Sequence, residues 1–269
     1  MHLNVELLRK FPKCPVPEIP KLSVVMPAYN EMATIEEILC RVQAIAIDKE
    51  IVVIDDGSKD GTRDFLTQLQ NHIAAVTGSA SLAPFGRLSK VDNIRVIFQE
   101  RNCGKGAALR RGFEEARGEV VVIQDADLEL DPREYPSLMA PIEQGVADVV
   151  YGSRFLGRSR QGQPFAYYTG NKVLTVVSNA LTGLKLTDVW TGYKMFRREV
   201  LQKVHLRENR FGFEPEITAK IAKIGCRVTE VAVSYTCRSR EEGKKIGWKD
   251  SVRGMWCTLR YSLLPDPPF

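Results

Sequence analysis

The chain has 269 residues, 44% hydrophobic and 26% charged, and a formal net charge of +5, which allows a full globular core and excludes a disordered chain. The mildly basic surface suits an anionic ligand or an anionic membrane face and gives no specific ground for a nucleic-acid partner. Cys14, Cys40, Cys103, Cys226, Cys237 and Cys257 lie far apart without a Cys-x-x-Cys pair, and only three histidines are present, so neither a zinc site nor a disulfide framework is expected.

The opening MHLNVELLRKFPKCP lacks the apolar core of a signal peptide, and no stretch approaches the roughly 18 uninterrupted apolar residues of a membrane span. A cytoplasmic chain with reduced thiols is the expectation. Four prolines in residues 11–20 deny regular hydrogen bonding, so 1–20 is expected to be an arm leading into the fold. LSVVMP then predicts a strand, and Thr34 with Glu37 forms a capping-box pattern opening a helix that carries Ile35, Ile38, Leu39 and Val42. The rhythm repeats as EIVVIDD with a helix at Thr62 to Leu69, and as NIRVIF with GKGAALRRGFEEA. It returns as EVVVIQD with a helix near Tyr135 to Ile142, and as the strand ADVVYGSRF. Between the second helix and third strand, IAAVTGSASLAPFGRLSK has the composition of a mobile surface insertion. After Phe155 the sequence predicts a helix at Lys172 to Leu181, a strand TGYKMF, a helix at Glu216 to Ile224, a strand CRVTEVAVSY and a final helix from Trp248. Continuous Val/Ile runs alternating with amphipathic helices mean a mainly parallel α/β sheet covered on both faces. Ligands bind such sheets beyond the carboxyl ends of the strands.

Acidic residues stand at those ends. Asp55 and Asp56 close IVVIDD, while Asp125 and Asp127 close VVVIQDAD, with Glu129 two residues further in the same register. Carboxylates in this D-x-D spacing can offer oxygens to a hard divalent cation such as magnesium or manganese, which bridges phosphates while keeping waters. The other reading of the same residues is a solvated acidic turn. Gly104-Lys105-Gly106 precedes a helix, yet the full G-x-x-x-x-G-K-S/T pattern is absent, so ATP chemistry is not supported. Asp60 is expected to cap the helix that follows it.

VVMPAYNE, IDDGSKDGT, NCGKGAALRRG, QDADLELDP, VVYGSRF, the D-x-x-T-G-Y-K stretch from Asp188 to Lys194 and RSREEGKKIGWKD occur in the order seen in glycosyltransferase family 2. Over about residues 21–262 the chain resembles that family's branch of dolichyl- and polyprenyl-phosphate mannosyl- and glucosyltransferases. The resemblance implies a GT-A fold at 21–235, with a nucleotide-binding half at about 21–155 and an acceptor-side half at about 156–235, followed by a basic segment and helix at 236–269. It implies that Pro27, Tyr29 and Glu31 edge the nucleotide pocket and that Ile54 and Asp56 hold base and ribose. Asp125, Ala126, Asp127 and Glu129 correspond to the donor and metal site for Mg2+ or Mn2+, the last of these often being glutamine in the family. Arg154 is expected to make a forked contact with the diphosphate, and Arg238 and Lys244, from a cluster that includes Arg240 and Lys245, to close over it. The segment around Lys105 helps shape the pocket in relatives.

The reaction this resemblance implies is metal-assisted transfer of a sugar from a GDP- or UDP-linked donor, with inversion, to a polyprenyl phosphate that is already anionic. A hydroxyl acceptor would need a base, for which Asp188 is the first candidate and Glu214 a second, weaker one for orienting the acceptor. Pairing of Asp188 with Lys194, or capping of a turn by it, is the structural alternative. Trp248, Val252, Met255, Trp256, Leu259 and Leu263 recur at helical spacing with Lys249, Arg253 and Arg260 off the stripe, as expected of a helix at a membrane surface, against a membrane-protein partner, or docked on the domain's own core. A soluble or polysaccharide acceptor, a nucleotidyltransferase and a non-catalytic nucleotide-sugar-binding module are the competing readings.

Overall fold

A computed structural model of the chain describes residues 19–76, 85–156, 165–237 and 248–265. The arm up to residue 18, residues 77–84 of the insertion, and Arg238, Arg240, Lys244 and Lys245 lie outside the described residues. The elements run β1 (Leu22–Ala28), α1 (Ile35–Gln43), β2 (Lys49–Asp55), α2 (Thr62–Val76), β3 (Ile94–Phe98), α3 (Lys105–Glu115) and β4 (Val120–Ile123). After a 3-10 turn at Pro132–Glu134 come α4 (Tyr135–Glu143), β5 (Val149–Ser153), α5 (Phe165–Thr182), β6 (Lys194–Arg197), α6 (Arg198–Lys203), α7 (Phe213–Lys223), β7 (Val228–Ala232) and α8 (Trp248–Leu263).

The strands form one sheet of seven in the order β3-β2-β1-β4-β6-β5-β7, parallel except for β6, which runs antiparallel to both β4 and β5. Because side chains alternate across a strand, each apolar run feeds two cores. Val24, Met26, Ile51, Val53 and Val122 face the α1 and α4 side, while Val25, Val52, Ile54, Val121 and Ile123 face the α3 and α7 side. A wholly buried side chain of this kind contributes about 2 kcal/mol, so continuous Val/Ile runs are what a sheet covered on both faces requires.

Of the local expectations, two change and one holds. The Thr34 side chain makes no cap bond; its hydroxyl turns back to the Glu31 carbonyl at 3.2 Å. Asp60 does cap, accepting from Thr62 N at 3.0 Å. The insertion is in part anchored: α2 runs on to Val76, Phe85 packs edge-on against Phe65, and Leu88 and Val91 are wholly buried.

The antiparallel strand matters for the site. Parallel β1, β2 and β4 deliver their carboxyl ends to one edge of the sheet, and β6, running the other way, brings its amino end to that same edge, with Met195 beside Val122 and Lys194 beside Tyr151. The loop 188–193 that enters β6 therefore arrives beside the D-A-D turn.

Candidate functional site

A cavity of about 410 Å³ opens at this edge. Pro27, Tyr29 and Glu31 line it from the end of β1, Asp56 from the end of β2, and Asp125, Ala126, Asp127 and Glu129 from the turn after β4. Arg154, Trp190, Gly192, Arg210, Phe211, Glu214 and Tyr235 come from the second half of the chain, and Asn102, Gly104 and Lys105 from the approach to α3. Ile54 and Asp188 do not line it. Ile54 is wholly buried in the core beneath α3, so its side chain is not available to a base or ribose. Asp55 is also turned away, paired with Arg63 Nε at 2.7 Å.

Asp56 faces the cavity, but its oxygens are engaged. Oδ1 accepts from Cys103 N at 2.7 Å and Gln99 Nε2 at 3.1 Å, and Oδ2 accepts from Gly104 N at 2.8 Å. Burial raises its pKa, and the Cys103 and Gly104 N–H groups counter that only in part. Asp56 thus fixes the loop that opens α3. At the head of that helix, Lys105 Nζ reaches Asp125 Oδ2 at 2.7 Å and lies 3.6 Å from Glu214 Oε1. Burial works against the Lys105 charge, but the two carboxylates outweigh it and hold the ammonium well above its ordinary pKa. Glu214 in turn pairs with the wholly buried Lys194, which also donates to the Thr191 carbonyl. Burial pulls the Lys194 pKa down, with Glu214 opposing it. Gly192 makes room for this chain of charges: a Cβ there would stand 2.6 Å from Asp125 Oδ2 and 3.1 Å from Lys105 Nζ.

The D-A-D turn itself is strained. Leu128 has φ +62°, a left-handed conformation costly for a side chain of its size. The turn is held by Glu129 N donating to Asp127 Oδ1 at 3.2 Å, and on its far side by Tyr235 Oη donating to Glu129 Oε2 at 2.8 Å and Thr236 N to the Glu129 carbonyl at 3.0 Å. Glu129 lines the cavity while its Oε2 ties down the segment leaving β7, and among the described residues no group of three His, Cys, Asp or Glu side chains converges as a metal cage would. The donor set that does fit a hard cation is Asp125 with Asp127, since magnesium is held by one or two carboxylates, with phosphate and water completing the shell.

Arg154 lines the cavity, but its fork is already occupied. Nε and Nη2 donate to Asp188 Oδ2 and Oδ1 at 2.7 and 2.8 Å, and the guanidinium lies 5.1 Å from the centre of the Tyr235 ring. Asp188 is wholly buried and also accepts from Arg154 N and Asn171 Nδ2. Burial disfavours its charge, yet Arg154 outweighs that and holds the carboxyl below the usual range. Asp188 is thus held as the counter-ion of Arg154, while Lys194 makes its ion pair with Glu214.

Asn102, Trp190, Arg210, Phe211 and Tyr235 were not legible as site residues. The only sequence signal for Arg210 and Phe211 was their place in ENRFGFEPE, beside the expected Glu214.

Residues 23–205 match the model of glycosyl transferase family 2. An undecaprenyl-phosphate 4-deoxy-4-formamido-L-arabinose transferase of Aeromonas hydrophila is 32% identical over 231 residues, covering 84% of this chain and 63% of that protein. A polyprenol monophosphomannose synthase of Mycolicibacterium smegmatis is 30% identical, over 83% of this chain and 80% of its own length. The chain thus spans less than two thirds of the Aeromonas relative. In fold, it resembles glucosyl-3-phosphoglycerate synthase of Mycobacterium tuberculosis, solved with Mn2+, UDP and phosphoglyceric acid, with a TM-score of 0.64 at 22% identity over 92% of this chain and 80% of that one. With more than half of its length matched by the family model and its strand ends carrying the motifs in one cavity, the chain belongs to glycosyl transferase family 2.

Proposed function

We propose that the chain transfers a sugar from a nucleoside-diphosphate donor to a polyprenyl phosphate. The observation that carries this reading is the meeting of the Pro27–Glu31 rim with Asp125 and Asp127 in one cavity beyond the carboxyl ends of parallel strands. The lipid acceptor is supported by relatives named for undecaprenyl-phosphate and polyprenol substrates. A divalent cation held by Asp125 and Asp127 would supply Lewis-acid neutralisation of the diphosphate. The protein's own groups do the rest. An acceptor phosphate oxygen bonds to the anomeric carbon as the bond from that carbon to the β-phosphate oxygen breaks, and the electron pair leaves with the nucleoside diphosphate, inverting the centre. Lys105, kept protonated at the head of α3, stabilises the charge that grows on the leaving group. An anionic acceptor needs no strong base, which agrees with the burial of Asp188. Incubating the protein with GDP- and UDP-sugars, with and without undecaprenyl phosphate and Mn2+, tests the reading; donor turnover that never depends on the lipid would overturn it.

Peripheral membrane contact belongs to the same proposal. No helix among the described residues is long and apolar enough to cross a membrane. On α8, Gly254, Cys257, Thr258 and Tyr261 face inward, while Val252, Trp256, Leu259 and Leu263 stand exposed, Trp256 by 57%. The helix docks on the domain with one face and exposes these four residues of the stripe, while Met255 is half-buried and the Trp248 side chain lies outside the described residues. An exposed tryptophan among aliphatic residues suits the headgroup level of a bilayer. Trp256→Glu should fold normally and lose most co-sedimentation with anionic liposomes at low salt; equal pelleting of variant and wild type would remove α8 from any membrane contact.

A further inference from the structure

We propose that Arg210 binds a phosphate group of a substrate, an inference that rests on the glycosyltransferase reading above. Among the described residues three cations line the cavity: Lys105, Arg154 and Arg210. Lys105 is engaged by Asp125 and Arg154 by Asp188. Arg210 is exposed and has no ion pair or side-chain hydrogen bond with any described residue. Asp56, which feels its charge, already has both oxygens taken by the Cys103 and Gly104 N–H groups.

The protein nevertheless fixes the backbone that presents this side chain. Ala107 N donates to the Asn209 carbonyl at 3.1 Å, Arg110 Nη2 to Asn209 Oδ1 at 2.8 Å and Arg110 Nη1 to the Leu206 carbonyl at 3.1 Å. The Glu216 carboxylate accepts from Arg207 N and Glu208 N at 2.8 Å each. The loop lies so close to α3 that a Cβ on Gly104 would stand 2.8 Å from Arg210 Cγ, and one on Gly106 2.2 Å from the Glu208 carbonyl. A guanidinium is thereby held beside the amino end of α3, where Asp56 already accepts from Cys103 N and Gly104 N. An anion arriving in the cavity meets that guanidinium without having to displace a carboxylate bonded to it. The planar fork of arginine matches phosphate oxygens, and here it is not already bonded to a carboxylate.

Two substrates carry phosphate, the donor diphosphate and the lipid phosphate, and one set of titrations separates them. Arg210→Gln and Arg210→Lys are compared with the wild type for binding of GDP and UDP with Mn2+, for KM toward undecaprenyl phosphate, and for thermal melting. Arg210→Gln should weaken one of these phosphate ligands by about tenfold, with partial recovery in Arg210→Lys and unchanged melting. Loss confined to the diphosphates assigns Arg210 to the donor, and a raised KM for the lipid alone assigns it to the acceptor. Wild-type values for every ligand in Arg210→Gln overturn this inference alone. A wild type that binds neither nucleoside diphosphate nor lipid phosphate overturns it together with the proposed function.

Discussion

Replacing Asp127 with alanine should lower turnover by about 10³-fold, which corresponds to about 4 kcal/mol of transition-state stabilisation. The fold should survive, because Asp127 lines the cavity and is not in the apolar core. The substitution also removes the Glu129 N to Asp127 Oδ1 bond that helps hold Leu128 at its left-handed φ. Asp127→Asn separates the two effects, since an amide oxygen keeps that bond and loses the charge. Both variants should be inactive if the charge is what counts, and only the alanine variant if the turn is. Titrating Mn2+ against donor binding gives the direct measurement; a metal dependence identical to wild type in both variants would take Asp127 out of the donor site.

Arg154→Ala should destabilise the fold by about 3–5 kcal/mol, because it leaves a buried carboxylate without its charged partner. Asp188 is 0% exposed, and only Asn171 Nδ2 and backbone N–H would remain to it. In the wild type the folded pKa of Asp188 lies below its unfolded value. The pair's contribution is therefore complete above the ordinary carboxylate range and is lost as pH falls through the folded pKa. In the variant only Asn171 Nδ2 and backbone N–H oppose burial, and the folded pKa should rise above the unfolded one. Its stability should then increase on acidification through the range just above the ordinary carboxylate value, the reverse of the wild-type slope. Urea unfolding at several pH values checks this; parallel curves would mean that Arg154 is not what keeps Asp188 ionised. Arg154→Lys, which keeps the charge but not the fork, should fall between the two.

The parts legible in the sequence were those governed by local periodicity. Val/Ile runs such as IVVI and VVVI gave β2 and β4, and the 3.6-residue spacing of Ile35, Ile38, Leu39 and Val42 gave α1, because burial on both faces or on one stripe leaves a regular pattern. The direction of β6 left none: nothing in KMFR marks it as antiparallel, and its direction shows only in its pairing with β4 and β5. The site divides along the same line. Carboxylates at strand ends were visible, since a strand's end is a sequence event. Their partners were not, because Lys105 meets Asp125 across 20 positions, Arg154 meets Asp188 across 34 and Tyr235 meets Glu129 across 106. The acidic and basic groups were thus identified by type while their pairing, which decides whether each serves a ligand or a neighbour, was set by tertiary distance. On α8 the sequence offered docking and exposure as alternatives, whereas the helix has both, with small and polar Gly254, Cys257 and Thr258 facing inward.

The clasp between α3 and the 206–212 loop bears on how such enzymes can be recombined. Arg110 and Ala107 belong to the portion expected to meet the nucleotide, whereas Leu206, Asn209 and Arg210 belong to the portion expected to meet the acceptor. The strands interleave as well, with β6 inserted between β4 and β5. A chimera spliced near residue 155 from two family members would inherit one side of the clasp from each parent, and any side chain replacing Gly104 or Gly106 would collide with the loop it received. The two portions therefore should not exchange as separate cassettes at that point. A workable graft carries residues 99–116 together with 205–216, so that both sides of the clasp come from the same parent.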